Sequence, residues 1–407
     1  MARTTVKSST GPRLSDCESM GVLTETFPLA HVKRVLAELG RASQRERDLP
    51  AHVMVYYAMA LGLYMQDSTK EVLRRLLEGV SALYGPKVAP KVTGKSGISQ
   101  ARSRLGWEPM ARLYADRVGP VATPATKGAW YRGLRLVSID GSTLAVPDTQ
   151  ANREAFGKPG SARGEAGFPK VRFVSLVEAG THVLFGSVLG PYRESEVSLA
   201  HQVVASLKAG MLGLADRNFF SFEMWTTAKA TGADLCWRVK RTLRLPVEKR
   251  LADGSYSSTI YPSEKDRRHR RDGCVVRVIE YRLEGIEDAE PIYRLITTLL
   301  DPEQAPATEL AALYHERWEI ETALDELKTH LRGGAVVVLR SKTPDLVRQE
   351  FFGLLLAHFA VRGLMHEASL AADEDPDTLS FIHAVRVVRR KLPELMTLPP
   401  WEAESVP

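Results

Sequence analysis

Apolar residues recur every three or four positions from Leu29 to Leu39, His52 to Met65, Lys70 to Tyr84 and Ser96 to Val118. That spacing predicts a helix over each stretch and an all-α N-terminal domain over residues 19–120. Residues 1–18 are polar throughout, which predicts disorder. Pro120 to Lys127, with Pro120, Pro124 and small residues between them, reads as a linker. Beyond it the pattern becomes strand-like. Leu134–Asp140 is a short apolar strand ending on a carboxylate, and Val171–Val177 and Val183–Leu189 are two more strands that could join it in an antiparallel meander. Ser195–Lys208 is helical, and Met211–Asp216 is another apolar strand ending on an aspartate. Ser221 can cap a helix running to Thr231, and Leu235–Lys240 is again a strand. Strands, helix, strand, helix, strand over residues 128–240 predict a mixed α/β sheet flanked by helices.

Residues 241–303 differ in character, pairing β-rich segments (Cys274–Arg282, Ile292–Leu300) with Arg241, Arg244, Lys249, Arg250 and the run Lys265–Arg271. They read as a β-rich insertion with a basic surface, part of which is an ordinary solvated loop. Helical spacing returns over 304–370 and in a tail, 371–407, whose last helix (Phe381–Leu392) carries Arg386, Arg389, Arg390 and Lys391 on what reads as an exposed basic face.

The densest chemistry lies in Tyr314-His-Glu-Arg317-Trp-Glu-Ile-Glu321-Thr-Ala-Leu-Asp-Glu-Leu-Lys328. On a continuous helix, at ~100° per residue, Tyr314, Arg317, Glu321 and Lys328 fall within roughly 60° of arc, beside an apolar stripe of Leu313, Ile320, Leu324, Leu327 and Leu331. One carboxylate among groups that bind phosphate or stack on bases points to a metal ligand at the edge of a nucleic-acid groove. A solvated, salt-bridged helix is the alternative. What separates the two is whether upstream carboxylates reach Glu321. Asp140 and Asp216, each ending an apolar strand, are the candidates. Two aspartates and a glutamate on rigid elements meet the requirement of two-metal phosphoryl transfer, in which paired divalent cations ~4 Å apart activate the attacking oxygen and stabilise the leaving one. Hard oxygen ligands favour Mg2+ or Mn2+. Asp325, one turn beyond Glu321, is a local rival, more simply read as an ion-pair partner of Lys328.

The charge balance agrees with a polyanionic partner. The 407 residues carry a formal net charge of +6, with a pI near 9.1. Cys17, Cys236 and Cys274 have no Cys-x-x-Cys spacing, which argues against a zinc ribbon or a disulfide framework and fits a reducing cytoplasm. The N-terminus lacks the apolar core of a signal peptide, and the most apolar run, Val53–Met65, is shorter than the ~20 residues a membrane helix needs. In the helical domain, Ser99-Gln100-Ala-Arg102-Ser-Arg104 follows a short basic turn. It could be a recognition helix in a major groove or simply a basic surface. Trp237 and Trp318 could stack on a displaced base, although core packing accounts for both more simply. His201, His330 and His358 show no ligand spacing.

The spacing Tyr-x2-Arg-x3-Glu-x6-Lys at Tyr314, Arg317, Glu321 and Lys328 resembles, without a departure, the signature of the insertion-sequence four family of bacterial DDE transposases. Ile139-Asp140-Gly141-Ser142 resembles that family's first aspartate motif and Ala215-Asp216-Arg217-Asn218-Phe219 its second. Arg340-Ser-Lys342-Thr-Pro344 resembles its C-terminal flank, so the likeness covers most of the chain. It implies an RNase H-like mixed-sheet catalytic core, interrupted by the β-rich insertion and preceded by the all-α domain. It also implies Asp140, Asp216 and Glu321 as ligands of two Mg2+ or Mn2+ ions per active site. DNA contacts are expected from Tyr314, Arg317 and Lys328, with Arg102, Arg104, Arg217, Arg340 and Lys342 as further candidates. The expected partners are double-stranded DNA, as element ends and target, and a second copy of the chain, at least a dimer on DNA; no membrane is expected. The expected location is the bacterial cytoplasm, at the nucleoid. The activity so implied is binding of terminal repeats, strand cleavage and strand transfer. A catalytically inactive transposase-derived DNA-binding protein and a related metal-dependent endonuclease are the other readings.

Overall fold

The computed structural model describes residues 19–45, 49–84, 94–161, 164–165, 167–282, 291–317, 319–331 and 337–394. The expected disorder of residues 1–18 falls outside these. The chain divides into two compact units: Met1–Val118 with Asp325–Pro407, and Gly119–Leu324.

The first unit opens with α1 (Ser19–Thr26), α2 (Leu29–Glu38), α3 (Ala51–Leu63), α4 (Thr69–Tyr84), α5 (Lys95–Leu105) and α6 (Glu108–Arg117). The single helix expected over Ser96–Val118 is therefore two. Gly106 breaks it with φ +74°, a left-handed value that continues no right-handed helix and that a side chain would resist. α3 is buried from Val53 to Leu63, and among the described residues no helix is long and apolar enough to cross a membrane.

The second unit is built on a sheet. In chain order come β1 (Trp130–Tyr131), β2 (Leu134–Ala145), α7 (Gln150–Phe156), the small hairpin β3 (Gly160–Ser161) and β4 (Gly164–Glu165), β5 (Lys170–Glu178) and β6 (Leu184–Pro191). Then follow α8 (Glu196–Val203), β7 (Met211–Ala215), α9 (Phe222–Ala230) and β8 (Asp234–Arg238). The Ser221 hydroxyl accepts from the Met224 N–H at 3.0 Å, capping α9 as expected. β9 (Lys249–Arg250), β10 (Tyr256–Ile260), α10 (Glu264–His269), β11 (Cys274–Tyr281), β12 (Tyr293–Thr297), α11 (Ala307–Glu316) and α12 (Glu319–Asp325) complete it. The first unit resumes with a π turn, Glu326–His330, then α13 (Pro344–Ala372) and α14 (Phe381–Glu394).

Among the described residues the sheet runs β6-β5-β2-β7-β8-β12-β11-β10-β9. β6, β5 and β2 pair antiparallel, which is the expected meander, while β2, β7 and β8 are parallel. This is the RNase H-like mixed sheet. The β-rich insertion does not form a sheet of its own: β12 pairs antiparallel with β8, setting Leu295 opposite Arg238, and β11, β10 and β9 extend the same sheet. Within the insertion the Arg277 guanidinium is fully buried, paired with Asp253 and donating to Ser255 Oγ and the Ala305 carbonyl. α11 lays Leu310, Leu313 and Tyr314 on Leu136, Leu212, Leu214, Cys236 and Leu295, so one apolar cluster ties the helix to the centre of the sheet. Trp237 is in the core, edge-on to Trp225 at 5.3 Å; Trp318 lies outside the described residues.

Candidate active site

Asp140 and Asp216 are placed by neighbouring parallel strands. The last paired residues of β2 and β7 are Ile139 and Ala215, and each aspartate is the next residue along its own strand. Asp216 leaves the sheet there, as its strand-end position implies. Its Oδ1 accepts from the Asn218 N–H at 3.2 Å, and its carbonyl from the Phe219 N–H at 3.0 Å. Asp140 does not end its strand, contrary to expectation. β5 keeps pairing with β2 as far as Ala145, so Asp140 is mid-strand, opposite Ser175, at the point where its other neighbour stops. A carboxylate there is held by a paired strand on one side, at the step where the parallel neighbour ends.

Among its described residues, the stretch holding Tyr314, Arg317, Glu321 and Lys328 is not one regular α-helix. α11 ends at Glu316, Arg317 is its C-cap, α12 starts at Glu319, and Lys328 lies in the π turn. A uniform 100° step therefore does not relate the four residues. Each has its own setting. Tyr314 is 5% exposed and donates from its hydroxyl to the Ala215 carbonyl at 3.3 Å, which braces α11 against the residue preceding Asp216. Burial pushes its phenol pKa above the ordinary value. Arg317 is buried too, packed over the Tyr314 ring at 5.5 Å, with Nη2 at 3.8 Å from Asp216 Oδ2. Its buried Nε has no hydrogen-bond partner among the described residues. Glu321 is exposed.

The electrostatics link these groups. Burial raises the Asp140 carboxyl to about 6; the Gly141 N–H and the Arg317 charge pull it down, and Glu196 and Glu321 push it up. Asp140 thus senses Arg317 and Glu321. Arg317 interacts with both aspartates. Asp325 accepts from Thr329 and pairs with His330, not with Lys328 as its spacing suggests. Among the described residues no three His, Cys, Asp or Glu side chains converge on a point that could hold a cation. The donor chemistry of Asp140, Asp216 and Glu321, all carboxylate oxygen, still fits a hard divalent ion.

The family description "Insertion element 4 transposase N-terminal" matches residues 17–115, and "Transposase DDE domain" matches residues 131–360, more than half of the chain. The chain belongs to the DDE transposases of the insertion element 4 family. It is similar to the transposase InsG for insertion sequence element IS4 of Escherichia coli (strain K12), with 29% identity over 375 residues covering 91% of this chain and 82% of that protein. A cryo-EM structure of piggyBac transposase in a synaptic complex with hairpin DNA aligns over 96% of this chain and 82% of its own. It shows 12% identity and a TM-score of 0.47. Membership in the DDE transposases generally implies dependence on a divalent metal.

Several basic residues expected on the surface of this transposase turn inward. Arg102 is 6% exposed; it donates to Gln349 Oε1 at 2.8 Å, Ser341 Oγ at 2.9 Å and the Leu346 carbonyl at 3.2 Å. It is removed from the DNA contacts, because α5 packs the side of Ile98, Ala101, Arg102 and Leu105 into the first unit and leaves Gln100 and Arg104 outside. Arg340 likewise caps the end of α3, donating to the carbonyls of Leu61, Tyr64 and Asp67. Arg389 donates to the Leu63 and Leu331 carbonyls and is not part of an exposed face. Arg217 and Lys342 are exposed, and Lys328 is half-buried. Glu196 was not among the candidates. It opens α8 just after the capping Ser195, where an acid is ordinarily explained by the helix dipole, and it pairs with Arg172 at 3.0 Å. Only the tertiary fold brings it near Asp140.

Proposed function

We propose that this transposase binds the terminal repeats of its element and cuts and joins DNA strands at Asp140, Asp216 and Glu321. The observation that carries the reading is the placement of Asp140 and Asp216 immediately beyond the last paired residues of adjacent parallel strands, with the Glu321 charge acting on Asp140. The three carboxylates would hold two Mg2+ or Mn2+ ions, which when bound supply activation of the attacking oxygen and stabilisation of the leaving oxygen. The pairing of β2 with β7 fixes the backbone from which Asp140 and Asp216 project. With its carboxyl raised only to about 6, Asp140 is mostly anionic at neutral pH. Arg317 can grip a phosphate bidentately and Lys328 adds a point charge. Arg104, Arg217 and Lys342 are the remaining exposed candidates for the DNA backbone. Pairing of two ends calls for at least a dimer on DNA, and the place of action is the cytoplasm, on nucleoid DNA.

Asp140→Asn, Asp216→Asn and Glu321→Gln should each keep binding to a terminal-repeat duplex but lose Mg2+-dependent nicking, as gel assays would show. Full nicking by any one of them removes that residue from the site. A wild-type protein that binds ends yet never cuts in Mg2+ or Mn2+ is a DNA-binding protein only.

A further inference from the structure

Arg317 combines features that a plain DNA contact does not need. It is a cation with only 7% of its side chain exposed. Its ion pair to Asp216 is long at 3.8 Å, and its buried Nε is left without a hydrogen-bond partner among the described residues. A buried guanidinium is ordinarily satisfied by several close acceptors, as Arg277 is in this same sheet, so one this loosely held can move to a better anion at small cost. Its pairing also faces a competitor. The oxygen that Nη2 approaches is Asp216 Oδ2, and the same charge pulls on Asp140; these are the two carboxylates that would receive the divalent ions.

Resting on the function proposed above, we infer that Arg317 is the internal counter-cation of the aspartate pair and couples the two binding events. It neutralises Asp140 and Asp216 until a DNA phosphate draws it away, so element-end DNA and divalent metal each tighten the binding of the other. The linkage is reciprocal: whatever factor DNA gains from the metal, the metal gains from DNA. A guanidinium beside a cation site also opposes metal loading through like-charge repulsion whenever no phosphate is present. Arg317 is thus a positioning residue for the carboxylates as well as a phosphate ligand.

The test uses the full-length chain and two binding measurements that need no turnover. In the first, Mn2+ is titrated calorimetrically with and without a duplex carrying the inverted repeat that flanks the gene. Arg317→Gln should bind Mn2+ at least about fivefold more tightly than wild type without DNA, and should lose the gain that DNA gives the wild type. Arg317→Lys, which keeps the charge, should stay near wild type without DNA. In the second, duplex binding is measured in EDTA. Asp216→Asn, which releases Arg317, should bind the duplex several-fold more tightly than wild type. Glu321→Gln, which removes a charge that Arg317 does not pair with, should gain much less. Equal Mn2+ affinity for wild type and a folded Arg317→Gln, or equal gains for Asp216→Asn and Glu321→Gln, would overturn the inference. If the wild type binds no Mn2+, the metal reading fails instead, and the EDTA measurement still decides whether Arg317 is tied to Asp216.

Discussion

Gly141, the residue after Asp140, offers a way to disturb the site without touching a charge. A Cβ at this position would stand 3.0 Å from the Phe173 carbonyl oxygen, 3.1 Å from Val174 Cγ2 and 3.2 Å from Glu196 Cγ. The Glu196 side chain can rotate away, but the other two contacts are a backbone atom of β5 and a β-branched methyl with one strongly preferred rotamer. Gly141→Ala must therefore push β2 and β5 apart by a few tenths of an ångström, at the step where Asp140 pairs with Ser175. Overpacking of this size costs about 1–3 kcal/mol. In a body of this size that lowers Tm by roughly 2–10 °C, so the variant should remain folded at assay temperature. Catalysis is less tolerant. A misplacement approaching 1 Å can cost ~100-fold, so a shift of a fraction of that should slow nicking by about tenfold. The assay is single-turnover nicking of a terminal-repeat duplex in Mg2+, with thermal unfolding alongside and Gly119→Ala, which would meet nothing within 4 Å, as the control. Wild-type Tm and wild-type nicking in Gly141→Ala would refute the claim that the β2–β5 approach sets the Asp140 carboxylate.

Other perturbations separate structural from functional roles. Tyr314→Phe leaves the Ala215 carbonyl without its donor; it should cost about 1 kcal/mol and slow nicking while leaving end affinity unchanged, and a loss of affinity instead would show that the phenol meets DNA. Asp253→Asn strands the fully buried Arg277 charge, which keeps only neutral acceptors, and should cost about 3 kcal/mol in urea unfolding. Burial pushes the Asp253 carboxyl up, but hydrogen bonds from Ser255 and the Ala307 N–H and the Arg277 charge outweigh it and hold the group below its ordinary value. A depressed folded-state value means stability that is present above the unfolded carboxyl range and lost as pH falls, so the gap between wild type and Asp253→Asn should narrow below about pH 4. Arg102→Ala should destabilise the first unit by roughly 3 kcal/mol without changing the salt dependence of DNA binding, whereas Arg104→Ala should keep Tm and reduce the salt slope by about one.

Periodicity and caps carried much of the local structure. The apolar runs of β2 and β7 and the Ser221 cap are decided by residues within a few positions of one another, so they can be read from the chain. The Tyr314–Lys328 spacing and the two aspartate motifs likewise pointed to the family without any coordinates. What spacing could not convey was the break at Arg317, the π turn around Lys328, and the run of β2 past Asp140. The last follows from pairing with β5, whose residues facing Gly141 to Ala145 lie 25 to 33 positions away in sequence.

Sequence alone thus determined the longer helices and strands, their order, and which carboxylates could serve as ligands, because helix and strand periods and short motifs are local properties. Only the tertiary structure decided which charges are spent inside. Arg102, Arg340 and Arg389 look as exposed in sequence as Arg104, yet packing turns their guanidinium groups onto distant carbonyls and side chains. The same packing turned Tyr314 under Asp216, brought Glu196 near Asp140, and placed Arg317 beside the aspartates with its hydrogen bonding incomplete. Burial and long-range pairing depend on residues far apart in the chain, and no local pattern records them.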